Sequence, residues 1–209
     1  MPAPQKILDL VDRFKRNADE YRALTFNEAN LRIQFIDPMF KELGWDMANE
    51  QGHAEAYKEV VHEASLKIGE ENKAPDYCFR IGGTPKFYLE AKKPATKLEN
   101  NKDAAYQLRR YAWSAKLPLS ILTNFDEFAV YDGRIKPAQG DSAAPPRVMF
   151  YRFNEYPEKW DEIAKVFARE SILNGSFDKF ADSNKKKRGT ATVDAAFLEE
   201  IEGWRDELA

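Results

Sequence analysis

The stretch that most limits what this chain can fold into is Lys73-Ala74-Pro75-Asp76-Tyr77-Cys78-Phe79-Arg80-Ile81-Gly82-Gly83-Thr84-Pro85-Lys86-Phe87-Tyr88-Leu89-Glu90-Ala91-Lys92-Lys93-Pro94. Two short aromatic-rich runs flank a Gly-Gly pair, the pattern of two strands joined by a tight turn. Side chains in a strand alternate between faces. Tyr77, Phe79 and Ile81 therefore share one face, as do Phe87, Leu89 and Ala91, and these are the expected core faces. The same alternation puts Glu90 and Lys92 on the opposite face at the end of the second strand, with Asp76 on the matching face at the start of the first. Paired as a hairpin, the start of one strand lies beside the end of the other. Two carboxylates and an ammonium then converge at one end of the sheet.

That convergence has a chemical use. Two acidic oxygens can hold a hard divalent cation such as Mg²⁺, which keeps several waters for a phosphate substrate. A lysine beside the ion can stabilise the attacked phosphate or help to deprotonate a metal-bound water. Pro75-Asp76 followed by Glu90-Ala91-Lys92 resembles the PD-(D/E)XK nuclease signature. A Glu-x-Lys at a strand end is also a solubility device, because edge strands recruit charge. The neighbouring segments carry the decision.

At 209 residues the chain is expected to be one domain with an appended element, long enough to bury a core. Its 43% hydrophobic and 13% aromatic content indicates a folded globular protein. No apolar run approaches the ~18 residues of a membrane span. Met1-Pro2-Ala3-Pro4-Gln5-Lys6 leads into an amphipathic pattern without a signal-peptide core. Cys78 is the single cysteine, which excludes a disulfide framework and a cysteine-based zinc site. A cytoplasmic setting is expected. The net charge of −3 does not announce a nucleic-acid binder. Between Lys92 and Lys116, however, Lys92, Lys93, Lys97, Lys102, Arg109, Arg110 and Lys116 outnumber Glu99 and Asp103. This segment can face phosphates or form an ordinary solvated helix face.

Residues 4–22 read as a helix with an apolar stripe of Ile7, Leu8, Leu10, Val11 and Phe14. Asn27 is the expected N-cap of a second helix whose stripe runs Leu31, Ile33, Phe35, Ile36, Met39, Phe40 and Leu43, with a kink at Pro38. Glu28, in its first turn, suits the helix dipole. Val60 to Ile68 is the expected strand leading to the hairpin, and His53 and His62 have no metal-ligand spacing. A helix follows over Ala104–Ala115, where Gln107 and Tyr111 share a face. Strands are expected at Leu119–Asn124, Glu127–Asp132 and Val148–Phe153, a surface loop at 136–146, and a helix at Glu158–Glu170.

These segments resemble, in order, the nuclease domains of fused restriction-modification proteins (type IIG) and of type I restriction subunits. Glu28-Ala29-Asn30-Leu31-Arg32 through Trp45-Asp46 looks like their opening helix, Gln107-x-x-x-Tyr111 like a feature behind their catalytic strand, and Leu122-Thr123-Asn124 with Ala129-Val130-Tyr131-Asp132 like their following strands. The resemblance implies an α/β fold with a restriction-endonuclease-like central mixed β-sheet flanked by helices. It implies catalytic Asp76, Glu90, Lys92, Gln107 and Tyr111, and metal ligation by Asp76, Glu90 and the Ala91 carbonyl. Glu28 is either a further ligand or part of a helix cap, and Gln107 and Tyr111 can alternatively be a packed pair. The implied cofactor is Mg²⁺, with Mn²⁺ substituting, and the implied substrate is double-stranded DNA. The implied domains are a nuclease over 1–182, a basic linker over 183–190 and, over 191–209, the start of a helical connector. That connector would lead to a missing methyltransferase-like region, where any S-adenosylmethionine would bind, and to specificity domains joined covalently or not. A catalytically silent DNA-binding or protein-interaction module keeping the same fold is the alternative.

Overall fold

A computed structural model describes residues 2–63, 66–68, 71–73 and 75–187. Helices α1 (Gln5–Arg16), α2 (Ala18–Tyr21) and α3 (Glu28–Leu31) come first, then a π-helical turn over Arg32–Ile36 and helix α4 (Asp37–Glu42). Asn27 caps α3 through its side chain, which accepts from the Asn30 N–H at 2.8 Å. Proline explains the π turn. Pro38 has no N–H for the carbonyl four residues back, and its ring crowds that position. The helix widens instead, so that the Asp37 N–H reaches the Arg32 carbonyl, and the guanidinium of Arg13 donates to the released Gln34 carbonyl. Widening also shifts the stripe: Leu31, Phe35, Ile36, Met39, Phe40 and Leu43 are buried, but Ile33, expected among them, is 67% exposed.

The first strand, β1 (Val60–His62), is shorter than expected. Glu63 adopts a left-handed conformation (φ 51), and β2 (Leu66–Ile68) pairs with β3 (Glu71–Lys73) in a separate two-stranded ribbon. The hairpin forms as expected from β4 (Tyr77–Ile81) and β5 (Thr84–Ala91). Gly82 and Gly83 both take positive φ (56 and 80), the backbone of a two-residue turn matched to strand twist. After β5 come α5 (Lys102–Ser114), β6 (Leu119–Thr123), β7 (Glu127–Asp132) and β8 (Arg147–Arg152), then α6 (Tyr156–Phe167), α7 (Arg169–Leu173) and α8 (Ser176–Lys187). Residues 183–187 of the stretch expected as a linker are thus helical. The rest of it, 188–190, and the expected connector at 191–209 lie outside the described residues.

The six-stranded sheet has the order β1-β4-β5-β6-β7-β8 and is mixed: β5 and β6 are parallel, every other pair antiparallel. A parallel pair needs a crossover, and α5 supplies it. That helix covers the sheet face opposite the main core. The hairpin alternation correctly assigns Tyr77, Phe79, Phe87, Leu89 and Ala91 to the large core with α1, α4 and α6. The other face is a second core, built from Cys78, Tyr88, Leu122, Ala129 and Tyr131 against Leu108, Tyr111 and Ala112 of α5. Glu90 points into this second layer and is 4% exposed, so it is a buried carboxylate rather than one standing clear of a core.

Candidate active site

The pairing of Tyr77 with Leu89 sets the start of β4 beside the end of β5. Asp76, just ahead of β4, accepts the Ala91 N–H on Oδ2 at 2.7 Å, which locks it against the end of β5. One position back, Glu90 Oε1 accepts from Lys92 Nζ at 2.7 Å and from Gln107 Nε2 at 3.1 Å. Gln107 Nε2 also donates to the Tyr111 hydroxyl at 2.8 Å. Asp76, Glu90, Ala91, Lys92, Gln107 and Tyr111 are therefore brought together by three elements. Gln107 and Tyr111 do form a bonded pair, and the pair also reaches the Glu90 carboxylate.

Burial is the main force on Glu90 and raises its pKa; the Lys92 ammonium opposes it, and Asp76 acts both ways, its charge raising the value and its backbone N–H lowering it. Burial works against the charge on Lys92, yet its pKa is raised because the carboxylates of Glu90, Glu28 and Asp76 outweigh it. Lys92 therefore rests as an ammonium. Glu90 Oε2 is buried with no hydrogen-bond partner among the described residues. An orphaned buried carboxylate oxygen costs roughly 1–3 kcal/mol or more, and a cation at that oxygen removes the cost. Two carboxylates beside a main-chain carbonyl are a hard-oxygen donor set, so these residues fit Mg²⁺ or Mn²⁺. Among the described residues no group of three or more His, Cys, Asp or Glu side chains is gathered for a metal. Glu28 is thus not assembled with Asp76 and Glu90. It is half-buried in the first turn of α3, Asn27 does the capping, and its charge reaches Lys92.

Sequence reasoning passed over Arg32, one helical turn after Glu28. Its NH1 lies 3.4 Å from Asp76 Oδ1 and its guanidinium 4.8 Å from the centre of the Tyr77 ring. The four-residue spacing from Glu28 was the available signal. His62 is satisfied, as expected, between Arg32 and the Met47 carbonyl. Within the basic segment, Arg109 does not face outward. It is 1% exposed and paired with Asp141 at 2.8 Å. Next to the site, a separate cleft of about 500 Å³ is lined by Arg22, Thr96, Lys97, Asn124, Asp126 and Arg152, among others. It opens at the same end of the sheet, where the Lys92 N–H bonds the Thr123 carbonyl at 3.0 Å.

Residues 58–139 match the family described as type I restriction enzyme R protein N terminus. The match contains Asp76, Glu90, Lys92, Gln107 and Tyr111, and excludes Glu28 and Arg32. The chain is 41% identical over 202 residues to the type II restriction enzyme and methyltransferase RM.Eco57I of Escherichia coli. This chain resembles the restriction enzymes. The alignment covers 96% of the chain but 20% of RM.Eco57I, so the chain spans about a fifth of that relative. Among solved structures, the type IIG restriction endonuclease BpuSI is similar at 16% identity, with a TM-score of 0.40 over 71% of this chain and 17% of that one. A fragment of a putative HsdR subunit of a type I restriction enzyme from Vibrio vulnificus YJ016 is 22% identical, with a TM-score of 0.37 over 67% and 27%. The restriction-enzyme resemblance rests on the sequence matches, and the mixed sheet stands on its own strand order.

Proposed function

We propose that this chain is a Mg²⁺-dependent DNA endonuclease domain of a restriction-modification protein, hydrolysing phosphodiester bonds of double-stranded DNA. The carrying observation is the Glu90 carboxylate, with one oxygen held by Lys92 and Gln107 and the other buried beside Asp76 without a partner among the described residues. Asp76, Glu90 and the Ala91 carbonyl would hold the ion. When bound, it supplies charge neutralisation at the attacked phosphate and acidifies a water. Lys92, held protonated by its acidic neighbours, offers a fixed positive hydrogen-bond donor to charge developing on a phosphate oxygen. Gln107 fixes the rotamer of Glu90, and Tyr111 fixes that of Gln107.

The described residues contain no helix long and apolar enough to cross a membrane, and we infer a cytoplasmic enzyme. RM.Eco57I is described as a restriction enzyme and methyltransferase, and this chain aligns with a fifth of it. Methyltransferase and specificity domains, covalently joined or not, would supply the rest, and S-adenosylmethionine would bind there. The family match to the type I R protein favours a second reading, the nuclease domain of a type I subunit.

The deciding experiment incubates supercoiled plasmid with the chain in Mg²⁺, in Mn²⁺ and in EDTA, beside Lys92→Ala. Metal-dependent nicking or linearisation, abolished in the variant, is the expected result. Wild-type protein that binds DNA without cutting it in either metal points to the silent module and overturns the proposal.

A further inference from the structure

Arg32 stands in the site in a manner that a purely structural ion pair does not explain. Asp76 is oriented by the Ala91 N–H at 2.7 Å, whereas its contact with Arg32 NH1 is a long 3.4 Å. Arg32 is itself held by other groups. Its guanidinium lies over the Tyr77 ring, and NH2 is 3.3 Å from His62 Nδ1. The tautomer follows from the far side of that ring. His62 Nε2 is 3.0 Å from the Met47 carbonyl, which can only accept, so Nε2 carries the proton and Nδ1 accepts from Arg32. A ring face, an imidazole lone pair and the exposed Glu63 carboxylate, 3.7 Å from NH1, aim the guanidinium, and NH1 stays at a long distance from both carboxylates that it faces. The side chain is 18% exposed, so it is not sealed in the core. Arg32 also begins the π turn, a device frequent at functional positions.

We infer that Arg32 is a further catalytic residue: it balances the charge of Asp76 in the metal-free chain, and passes to a phosphate oxygen of DNA when a divalent cation occupies the site. The inference rests on the nuclease reading. A guanidinium suits both roles, since its fork matches carboxylate and phosphate alike. The exchange keeps the site near charge balance before and after the ion enters. It also makes Arg32 a competitor of the metal, the reverse of what a residue that merely steadied Asp76 would be.

The test uses the whole chain with Arg32→Gln, Arg32→Lys and Asp76→Ala. Mn²⁺ binding is measured by calorimetry without DNA, and single-turnover cleavage at saturating metal. Arg32→Gln is expected to bind Mn²⁺ several-fold more tightly while cleaving at least about 100-fold more slowly, the scale of losing a transition-state donor. Arg32→Lys keeps the charge but not the fork, so it should show near wild-type Mn²⁺ affinity with slower cleavage. It serves alone if Arg32→Gln does not fold. Weaker or unchanged Mn²⁺ affinity in Arg32→Gln, or normal cleavage in Arg32→Lys, overturns the inference and leaves the nuclease reading standing. Wild-type protein that binds no Mn²⁺, or binds it equally well after Asp76→Ala, overturns both.

Discussion

Gln107 Nε2 lies 3.1 Å from Glu90 Oε1, which ties the middle of helix α5 to the end of strand β5. The bond exists because the parallel β5/β6 pair forces α5 across that face of the sheet. It leaves Glu90 with one saturated oxygen and one bare one, and makes the orientation of the bare oxygen depend on Gln107.

Gln107→Ala should therefore cost activity more than stability. Losing a hydrogen bond to a buried charge costs about 1–3 kcal/mol, or a melting-point drop of roughly 2–10 °C for a domain of this size. Cleavage at saturating Mg²⁺ should fall by more than about tenfold. Tyr111→Phe, which removes only the hydroxyl, should give a smaller loss of the same kind. A large fall in melting temperature with normal specific activity would return both residues to packing alone.

Glu90 predicts a pH dependence in the metal-free protein. Its pKa is raised in the folded state, mainly by burial. A carboxyl with a raised folded pKa contributes most below its unfolded pKa, and that contribution is lost as pH rises through the folded value. Glu90→Gln removes the titration. In EDTA, the urea midpoint of wild type relative to Glu90→Gln should fall from about pH 4 upward. A difference that stays flat with pH would contradict this.

Divalent metal should reverse that penalty. A ligand that binds only the folded state stabilises it by RT ln(1 + [L]/Kd), about 2.7 kcal/mol at a hundredfold excess over Kd. Mn²⁺ should raise the melting temperature of wild type, and the rise should vanish in both Asp76→Ala and Glu90→Ala. A rise surviving in Asp76→Ala would remove Asp76 from the ligand set.

The cleft beside Lys92 gives a prediction about DNA. Arg152 there is 3.0 Å from Glu99 and largely exposed, and Lys97 is exposed with no ion pair among the described residues. If both track the DNA backbone, Lys97→Ala and Arg152→Ala should each lower the slope of log K against log salt by about 0.9. Fluorescence anisotropy in EDTA at several salt concentrations measures it. An unchanged slope in both variants would place the DNA elsewhere.

The hairpin was legible in the sequence because strand alternation and a Gly-Gly turn are local rules. They placed Asp76, Glu90 and Lys92 together before any fold was known. Helical spacing likewise put Gln107 and Tyr111 on one face. What escaped was set by longer-range contacts. The burial of Glu90 depends on a crossover helix that alternation along β5 cannot reveal. Arg109 read as an outward cation, facing phosphates or solvent, because its partner, Asp141, lies 32 residues downstream. The π turn that exposes Ile33 and carries Arg32 comes from Pro38 in the first turn of the next helix, an effect that a fixed helical period does not register.

Helix α8 packs on the main core and supports the last prediction. Phe177 is 1% exposed, with its ring centre 6.0 Å from that of Phe87 and 6.1 Å from that of Phe167, and Ala181 is buried beside it. The Ala181 carbonyl also accepts from Arg134 NH2 at 2.6 Å, joining the helix to the residues after β7. Phe87 lies on the strand that ends in Glu90, so α8 helps to brace that strand. Deleting residues 184–209 keeps all of these contacts and should leave the melting temperature and Mn²⁺ binding close to those of the full chain. Cutting before Ser176 removes them, and Phe177→Ala alone should cost about 3–5 kcal/mol through the cavity it leaves. Neither the shortened nor the full chain should cut DNA at a defined sequence, since the chain spans about a fifth of RM.Eco57I and, in the proposed reading, sequence readout belongs to domains outside it. Discrete fragments from a long DNA treated with purified residues 1–209 would show that this chain reads sequence by itself.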